Sequence, residues 1–352
     1  MNHATRVRAY DRVALLADAK LALPDLFDEA GRILAGALPR DAACWHAMDP
    51  TSLIETSFAI ESMPEPNATT AEVAYLAGDY NSFVELTQRR RHSGVLSEET
   101  GGDLRLSRRY RELMEPENML GELRASFVVD GAGWGCVAFF REAPNDFTAE
   151  ERDFAHHLSP LLGRAFRAAG VHARAAGPSA DLWPGVIVIG SDRSVESDTP
   201  PVRNWLREFG FEGQPDRDPL PFEVLALAER VRKTGSEANA RVMGDSGRWI
   251  EIHAAPATHG DSWDQRVAVV VQAASVPAIA PLISAAYGLT NRERELTELV
   301  LQGCGTAEIA AQLFVSPHTV QSHLKSIFAK VGVRSRRELV GRVNAKPELP
   351  AY

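Results

Sequence analysis

The stretch that most constrains this chain lies near its end, where residues 289–343 carry the start and stop signals of several short helices in close succession. Thr290 and Glu293 have the spacing of a capping box, which satisfies two of the four amides a helix start leaves unpaired. Leu296, Leu299 and Val300 give that helix an apolar face, and Gly303 suits the left-handed position that ends it. Thr306 is the expected cap of a second helix bearing Ile309, Ala310 and Leu313, followed by a turn at Phe314 and Val315. Ser316 caps a third helix with Pro317 at its first position, where the missing amide costs nothing. At about 100° per residue, Val320, Leu324, Ile327 and Val331 fall in one stripe, the expected buried side.

His318, Ser322, Lys325 and Ala329 lie opposite that stripe, flanked by Thr319, Gln321 and Ser326. Small hydrogen-bonding residues around one long cation suit the major groove of DNA, which admits a helix and offers amide, hydroxyl and ammonium partners. On an arbitrary helix the same residues would be a solvated face, so the surrounding pattern decides between the two readings. Leu289-Thr290, Arg292-Glu293, Gly303, Glu308-Ile309-Ala310, Leu313, Ser316, Thr319-Val320, His323, Leu324, Ile327, Lys330, Gly332, Val333 and Arg336 together resemble the DNA-binding domain of LuxR-type transcriptional regulators.

That resemblance implies a four-helix helix-turn-helix domain whose third helix enters the major groove and whose fourth, from Ser335 to about Val343, helps to pair two copies. By position, Gln321, Ser322 and Lys325 are the base-reading candidates. Thr319, His323, Lys330, Arg334 and Arg336 are assigned to phosphates, which position a protein without specifying sequence. Two departures bear on affinity and site preference rather than on fold. Gly305-Thr306-Ala307 stands where the family usually has Ser-Asn-Lys, and Gln321 stands where a Lys is common.

A net charge of -9 is at first sight wrong for a DNA binder. Residues 287–346, however, carry nine Lys and Arg against five Glu, whereas residues 1–286 carry 29 basic against 41 acidic side chains. The basic footprint is confined to the C-terminal region, and the acidic bulk should repel DNA rather than wrap it. Cys44, Cys136 and Cys304 are odd in number and far apart, which argues against a disulfide framework or structural zinc and for a reducing cytoplasm. No segment has the ~20 consecutive apolar residues needed to cross a bilayer, so a cytoplasmic protein without membrane attachment is expected.

From the N-terminus, helices are expected over residues 10–20 and 24–38, strands over 42–47 and 53–60 split by a turn at Asp49-Pro50, and helices over 70–80 and 107–113. Residues 123–129 and 134–140 form a hairpin about Asp130-Gly131-Ala132-Gly133, and Thr148 with Glu151 opens a long helix. A sheet flanked by helices and ending in a hairpin, Asn145-Asp146-Phe147-Thr148 and a long helix resembles a GAF domain, which implies a small-molecule pocket or a pairing role. Further on, a strand at 185–189, helices near 201–209 and 221–232, and strands at 239–243, 248–254 and 265–272 follow the order of a PAS-like fold. Asp198-Thr199 replaces the Asn that usually begins the first PAS helix.

Other chemistry is poorly supported. Gly131-Ala132-Gly133-Trp134-Gly135 lacks the glycine spacing and following helix of a dinucleotide loop. Gly244-Asp245-Ser246-Gly247 looks like a protease nucleophile segment, but the chain lacks the preceding barrels, so a turn is expected. No Gly is followed by Lys, which removes an ATP-driven switch. His46, His92, His156, His157 and His253 are scattered; surface or satisfied core positions are expected for them before haem ligation.

The expected fold class is α+β multidomain: a helical arm over 1–20, a GAF-like unit over 21–170, a linker over 171–181, a PAS-like unit over 182–276, a second linker over 277–286, an all-α LuxR-type helix-turn-helix domain over 287–346 and a tail over 347–352. The expected function is non-enzymatic: sequence-specific regulation of transcription, with double-stranded DNA and a second copy of the chain as partners and RNA polymerase as a candidate third. No cofactor or metal is expected, and the ligand residues of any small-molecule effector are unknown. The alternative is that the N-terminal half binds no ligand and serves as a dimerisation or protein-interaction platform.

Overall fold

The protein is described here from a computed structural model covering residues 3–64, 70–73, 79–172, 183–211, 220–246, 248–258, 263–275 and 287–344. The expected linker at 277–286, most of that at 171–181, the tail, residues 74–78 and Gly247 lie outside these residues.

The α+β organisation is present as two five-stranded antiparallel sheets followed by a helical domain. In the first unit, α1 (His3–Leu15) and α2 (Leu23–Leu34) precede β1 (Ala42–Met48) and β2 (Glu55–Glu61). Then come α3 (Phe83–Gln88), β3 (Ser93–Val95), α4 (Leu96–Glu99), β4 (Met119–Val129), β5 (Ala132–Glu142) and α5 (Ala149–His172). The strands lie in the order β2-β1-β5-β4-β3.

Strand alternation sends side chains to two different cores, which is why every residue of β1 is buried. Ala43, Trp45, Leu123, Phe127, Val137 and Phe139 join α1, α2 and α5 in the larger core. Trp45 meets Phe139 edge-on at 5.4 Å, and Phe127 lies 5.0 Å from Phe166 of α5. Ala42, Cys44, Cys136, Ala138 and Phe140 face the other way, with Phe83, Leu86, Leu96 and Met114. Helix α5 comes so close to the sheet that a Cβ on Gly135 would sit 2.5 Å from the Phe166 ring and 2.8 Å from the His46 carbonyl.

Several expectations are corrected here. The N-terminal arm is part of the larger core through Ala9, Val13 and Leu16, and its helix ends at Leu15 rather than Lys20. The hairpin turn is only Asp130-Gly131, both at positive φ (53° and 77°), the backbone demanded by a tight two-residue connection. Ala132 and Gly133 already belong to β5. The three-residue edge strand β3 gave no periodic signal because it is too short to show one. The segment expected as a helix at 107–113 contains a π-helical turn, Tyr110–Met114. Thr148 and Glu151 cap α5 reciprocally, as expected: the Glu151 amide donates to the Thr148 hydroxyl and the Thr148 amide to the Glu151 carboxylate.

The second unit contains β6 (Gly185–Ile189), β7 (Val195–Asp198), α6 (Val202–Arg207), α7 (Phe222–Thr234), β8 (Ala238–Met243), β9 (Trp249–Pro256) and β10 (Val267–Ala273). Its order, β7-β6-β10-β9-β8, repeats that of the first sheet. Thr199, at the position where a PAS-like helix would begin with Asn, instead ties down β6: its hydroxyl accepts the Val186 amide at 2.9 Å. The core of this unit holds Trp205, Leu225, Leu227, Val231, Ile250 and Ile252, and it also takes in Ile54 from the first unit.

Candidate nucleic-acid interface and an internal cavity

Helix α8 (Asn291–Leu301) starts the C-terminal domain with the expected capping box, Thr290 and Glu293 each accepting the other's backbone amide. Gly303 is left-handed at φ 88°. Helix α9 (Thr306–Gln312) departs from expectation: Gly305 is its cap, its amide donating 2.6 Å to the Glu308 carboxylate, and Thr306 is the first helical residue. The Thr306 hydroxyl is thereby released to accept from Gln321 Nε2 and Arg336 Nη2, each at 3.3 Å.

Helix α10 (Pro317–Val331) has Ser316 as its cap, accepting the Thr319 amide at 3.1 Å, and ends at Gly332 with φ 70°. Val320, Leu324, Ile327 and Val331 are buried, while Gln321, Ser322 and Lys325 are exposed on the other side. Helix α11 (Arg336–Asn344) follows, with Ser335 accepting the Glu338 amide at its start. Leu339 completes a core shared with Leu296, Val300 and Ile309. The geometry is that of one helix held proud of three others, its polar face open.

The cations assigned to phosphates are in different situations. Arg334 is exposed and His323 is half-buried. Lys330 Nζ lies 2.6 Å from Glu293 Oε2 and also donates to the Gly288 carbonyl. Arg336 donates to the Cys304 carbonyl at 2.8 Å as well as to Thr306. Thr319 shares a hydroxyl contact with Ser316. Lys330 and Arg336 thus brace the domain. For Glu293, burial opposes ionisation, but hydrogen bonds from Lys330, Ser326 and Thr290 outweigh it and hold the carboxyl at about 2. The sequence places Glu293 as a helix cap; that the same carboxylate also anchors α10 depends on a helix crossing that local spacing does not contain.

A second site lies inside the first unit. A cavity of about 260 Å³ sits on the smaller-core face of the first sheet, walled by Ala138, Phe140 and Met119 and closed at one side by Phe222 of α7. Phe222 meets Phe58 edge-on at 5.8 Å and lies 6.4 Å from the His46 ring. Arg109 and Glu122 form a buried two-point pair at 2.7 and 2.6 Å, and Arg124 lies beside them with its guanidinium 4.0 Å from the Phe83 ring centroid. Burial lowers the pKa of His46 and keeps its ring neutral, the nearby Glu55 carboxylate opposing this only in part. None of these residues stood out in the sequence, where His46 was one scattered histidine and the arginines had no motif.

A sequence profile for bacterial regulatory proteins of the luxR family matches residues 288–343. The spore germination protein GerE of Bacillus subtilis is 46% identical over 52 residues, which cover 15% of this chain and 70% of that protein. An HTH-type transcriptional regulator of Mycobacterium bovis is 50% identical over 52 residues, and there the matched stretch spans 15% of this chain but only 6% of the relative. Among solved structures, the GAF domain of an Acinetobacter phosphoenolpyruvate-protein phosphotransferase aligns at a TM-score of 0.34 and 15% identity, over 48% of this chain and 96% of that one. Vibrio cholerae VqmA in complex with ligand and DNA aligns at 0.25 and 17%, over 47% and 86%. Through its C-terminal helical domain, this chain belongs to the luxR family of bacterial regulatory proteins.

Proposed function

We propose that this chain is a transcription regulator that places α10 in the major groove of double-stranded DNA as a homodimer. The observation that carries the reading is the division of α10 itself: a fully buried apolar stripe on one side and Gln321, Ser322 and Lys325 exposed on the other. In this reading Gln321 offers its amide to adenine, Lys325 favours the guanine edge, and Ser322 meets either. Thr319, His323 and Arg334 meet phosphates, while Lys330 ties α10 to Glu293 of α8 and Arg336 ties the start of α11 to the Cys304 carbonyl ahead of α9. The domain divisions follow the two sheets and the helical domain, with the second sheet unit taken as PAS-like.

The N-terminal units modulate this binding by responding to a small molecule. The cavity against the first sheet supports that role over a ligand-free platform, because a purely architectural unit has no need to keep buried polar groups around empty space. Selection of binding sites from random duplex DNA by the full chain, followed by titration at several salt concentrations, tests the first part. A recovered two-part site bound at least 1,000-fold more tightly than random DNA is expected at the low end of specific binders. Equal binding to all sequences would remove the base-reading assignments.

A further inference from the structure

We infer that the cavity between the first sheet and α7 binds an uncharged ring compound of one or two rings carrying a carbonyl-type acceptor, which it presents to Arg124. The inference rests on the sensor reading above and deepens it.

Size comes first. A 150 Å³ apolar cavity holds benzene, so about 260 Å³ suits one or two rings rather than a nucleotide or a fatty chain. The walls choose the body of the ligand: Phe140, Met119 and Ala138 on one side and the Phe222 ring on the other leave a mostly apolar space suited to a ring.

Polar groups then choose what the ring carries. Arg124 is nine-tenths buried, and its Nε has no hydrogen-bond partner among the described residues, although Glu122 Oε1 lies 3.3 Å away at an unfavourable angle. Its Nη1 reaches the Asn81 carbonyl at a long 3.3 Å. His46 Nδ1 is likewise buried without a hydrogen bond, 3.3 Å from Glu55 Oε2 but misaligned with it. A buried guanidinium with unspent hydrogen-bonding capacity is costly, and a ligand acceptor relieves that cost.

Charge balance selects among acceptors. Among the charged side chains that line the cavity, Glu55, Glu112 and Glu117 already outnumber Arg109 and Arg124. A ligand carboxylate would add another negative charge to a low-dielectric space, whereas a neutral carbonyl accepts from Arg124 without it. Because Phe222 opens α7 of the second unit, an occupant touches both sheet units at once. Binding there can therefore bias how the two units are held.

Three probes of one shape test this with the full chain: 1-indanone, indane and indane-1-carboxylate, titrated by calorimetry. Saturable binding of 1-indanone at least 10-fold tighter than indane, with the carboxylate no tighter than indane, is expected. Arg124→Met should bring 1-indanone down to the affinity of indane and leave indane itself unchanged. Leu113→Trp, which fills the cavity from a half-buried wall position, should abolish binding of all three and keeps the test readable if the arginine variant does not fold. Equal binding of indanone and indane, tighter binding of the carboxylate, no binding of any probe, or binding that survives Leu113→Trp would each overturn the inference. The same preparations are assayed for DNA binding with and without 1-indanone; no DNA binding in either condition would overturn the regulator reading while leaving the titrations interpretable.

Discussion

Asp49 and Arg241, 192 residues apart in sequence, form a buried two-point ion pair at 2.7 Å through Oδ2 to Nε and 2.7 Å through Oδ1 to Nη2, fastening the turn after β1 to strand β8 of the other sheet. Asp49 is fully buried, and its carboxylate also accepts the amides of Thr51 and Arg241. The same junction includes Arg230 donating to the Ser52 carbonyl at 2.7 Å and Arg193 paired with Glu72 at 2.9 Å. With Ile54 inside the second core, the two sheet units pack as one body rather than as beads on a linker.

Asp49→Ala leaves Arg241 buried without its main partner and should cost about 3–5 kcal/mol of stability, seen as a lower urea midpoint. Replacing both residues together by Asn and Met should recover a large part of that loss. A single substitution costing under about 0.5 kcal/mol would show the junction to be loose in solution.

Lys325 and Lys330 are both exposed on one helix, but Lys330 is held by Glu293 of α8. Lys325→Ala should weaken binding to the selected site by about 1–3 kcal/mol while leaving random DNA and thermal stability nearly unchanged. Lys330→Met should instead lower the melting temperature of the helical domain, measured by calorimetry. Reversed phenotypes would exchange their roles.

Glu223, at the start of α7, is buried, and desolvation pushes its carboxyl up to about 7, its own backbone hydrogen bond opposing this and Glu55 and Asp245 adding to it. The folded state therefore holds a proton that the unfolded chain releases near 4.5. Its contribution is complete below that value and is lost as pH rises through about 7, on the order of 3 kcal/mol in all. Glu223→Gln should match the parent protein at pH 4 and exceed it in denaturant stability at pH 8; parallel curves across that range would dismiss the buried proton.

Gly135→Ala places a methyl group against the Phe166 ring and the His46 carbonyl at distances no real Cβ shows. Forced separation of α5 from the sheet should cost about 1–3 kcal/mol, read from chemical denaturation. A neutral result would mean that α5 shifts without loss.

The C-terminal domain was legible because its information is local. Capping pairs three residues apart, a proline at a helix start and a glycine at a helix end all act within one turn, so Thr290, Glu293, Ser316, Pro317 and Gly332 mark their helices without reference to anything distant. The buried stripe of α10 follows from 3.6-residue periodicity alone. The hairpin and the capped helix α5 were readable for the same reason. The site was half legible: Gln321, Ser322 and Lys325 fall on the open face as periodicity requires, but it takes the packing of the four helices to show that Lys330 reaches Glu293 and Arg336 the Cys304 carbonyl.

Sequence by itself therefore determined where the helices and most of the strands lie, which face of α10 is open, and that basic charge gathers at the C-terminal end. Tertiary structure alone decided that Asp49 meets Arg241, that Phe222 closes a cavity on the other unit's sheet, and that Arg124 is buried there with hydrogen-bonding capacity to spare. The physical reason is range. Caps and periodicity act over three or four residues, whereas a buried charge takes its partner from whichever strand the packing of two sheets brings within 3 Å, however far away in sequence.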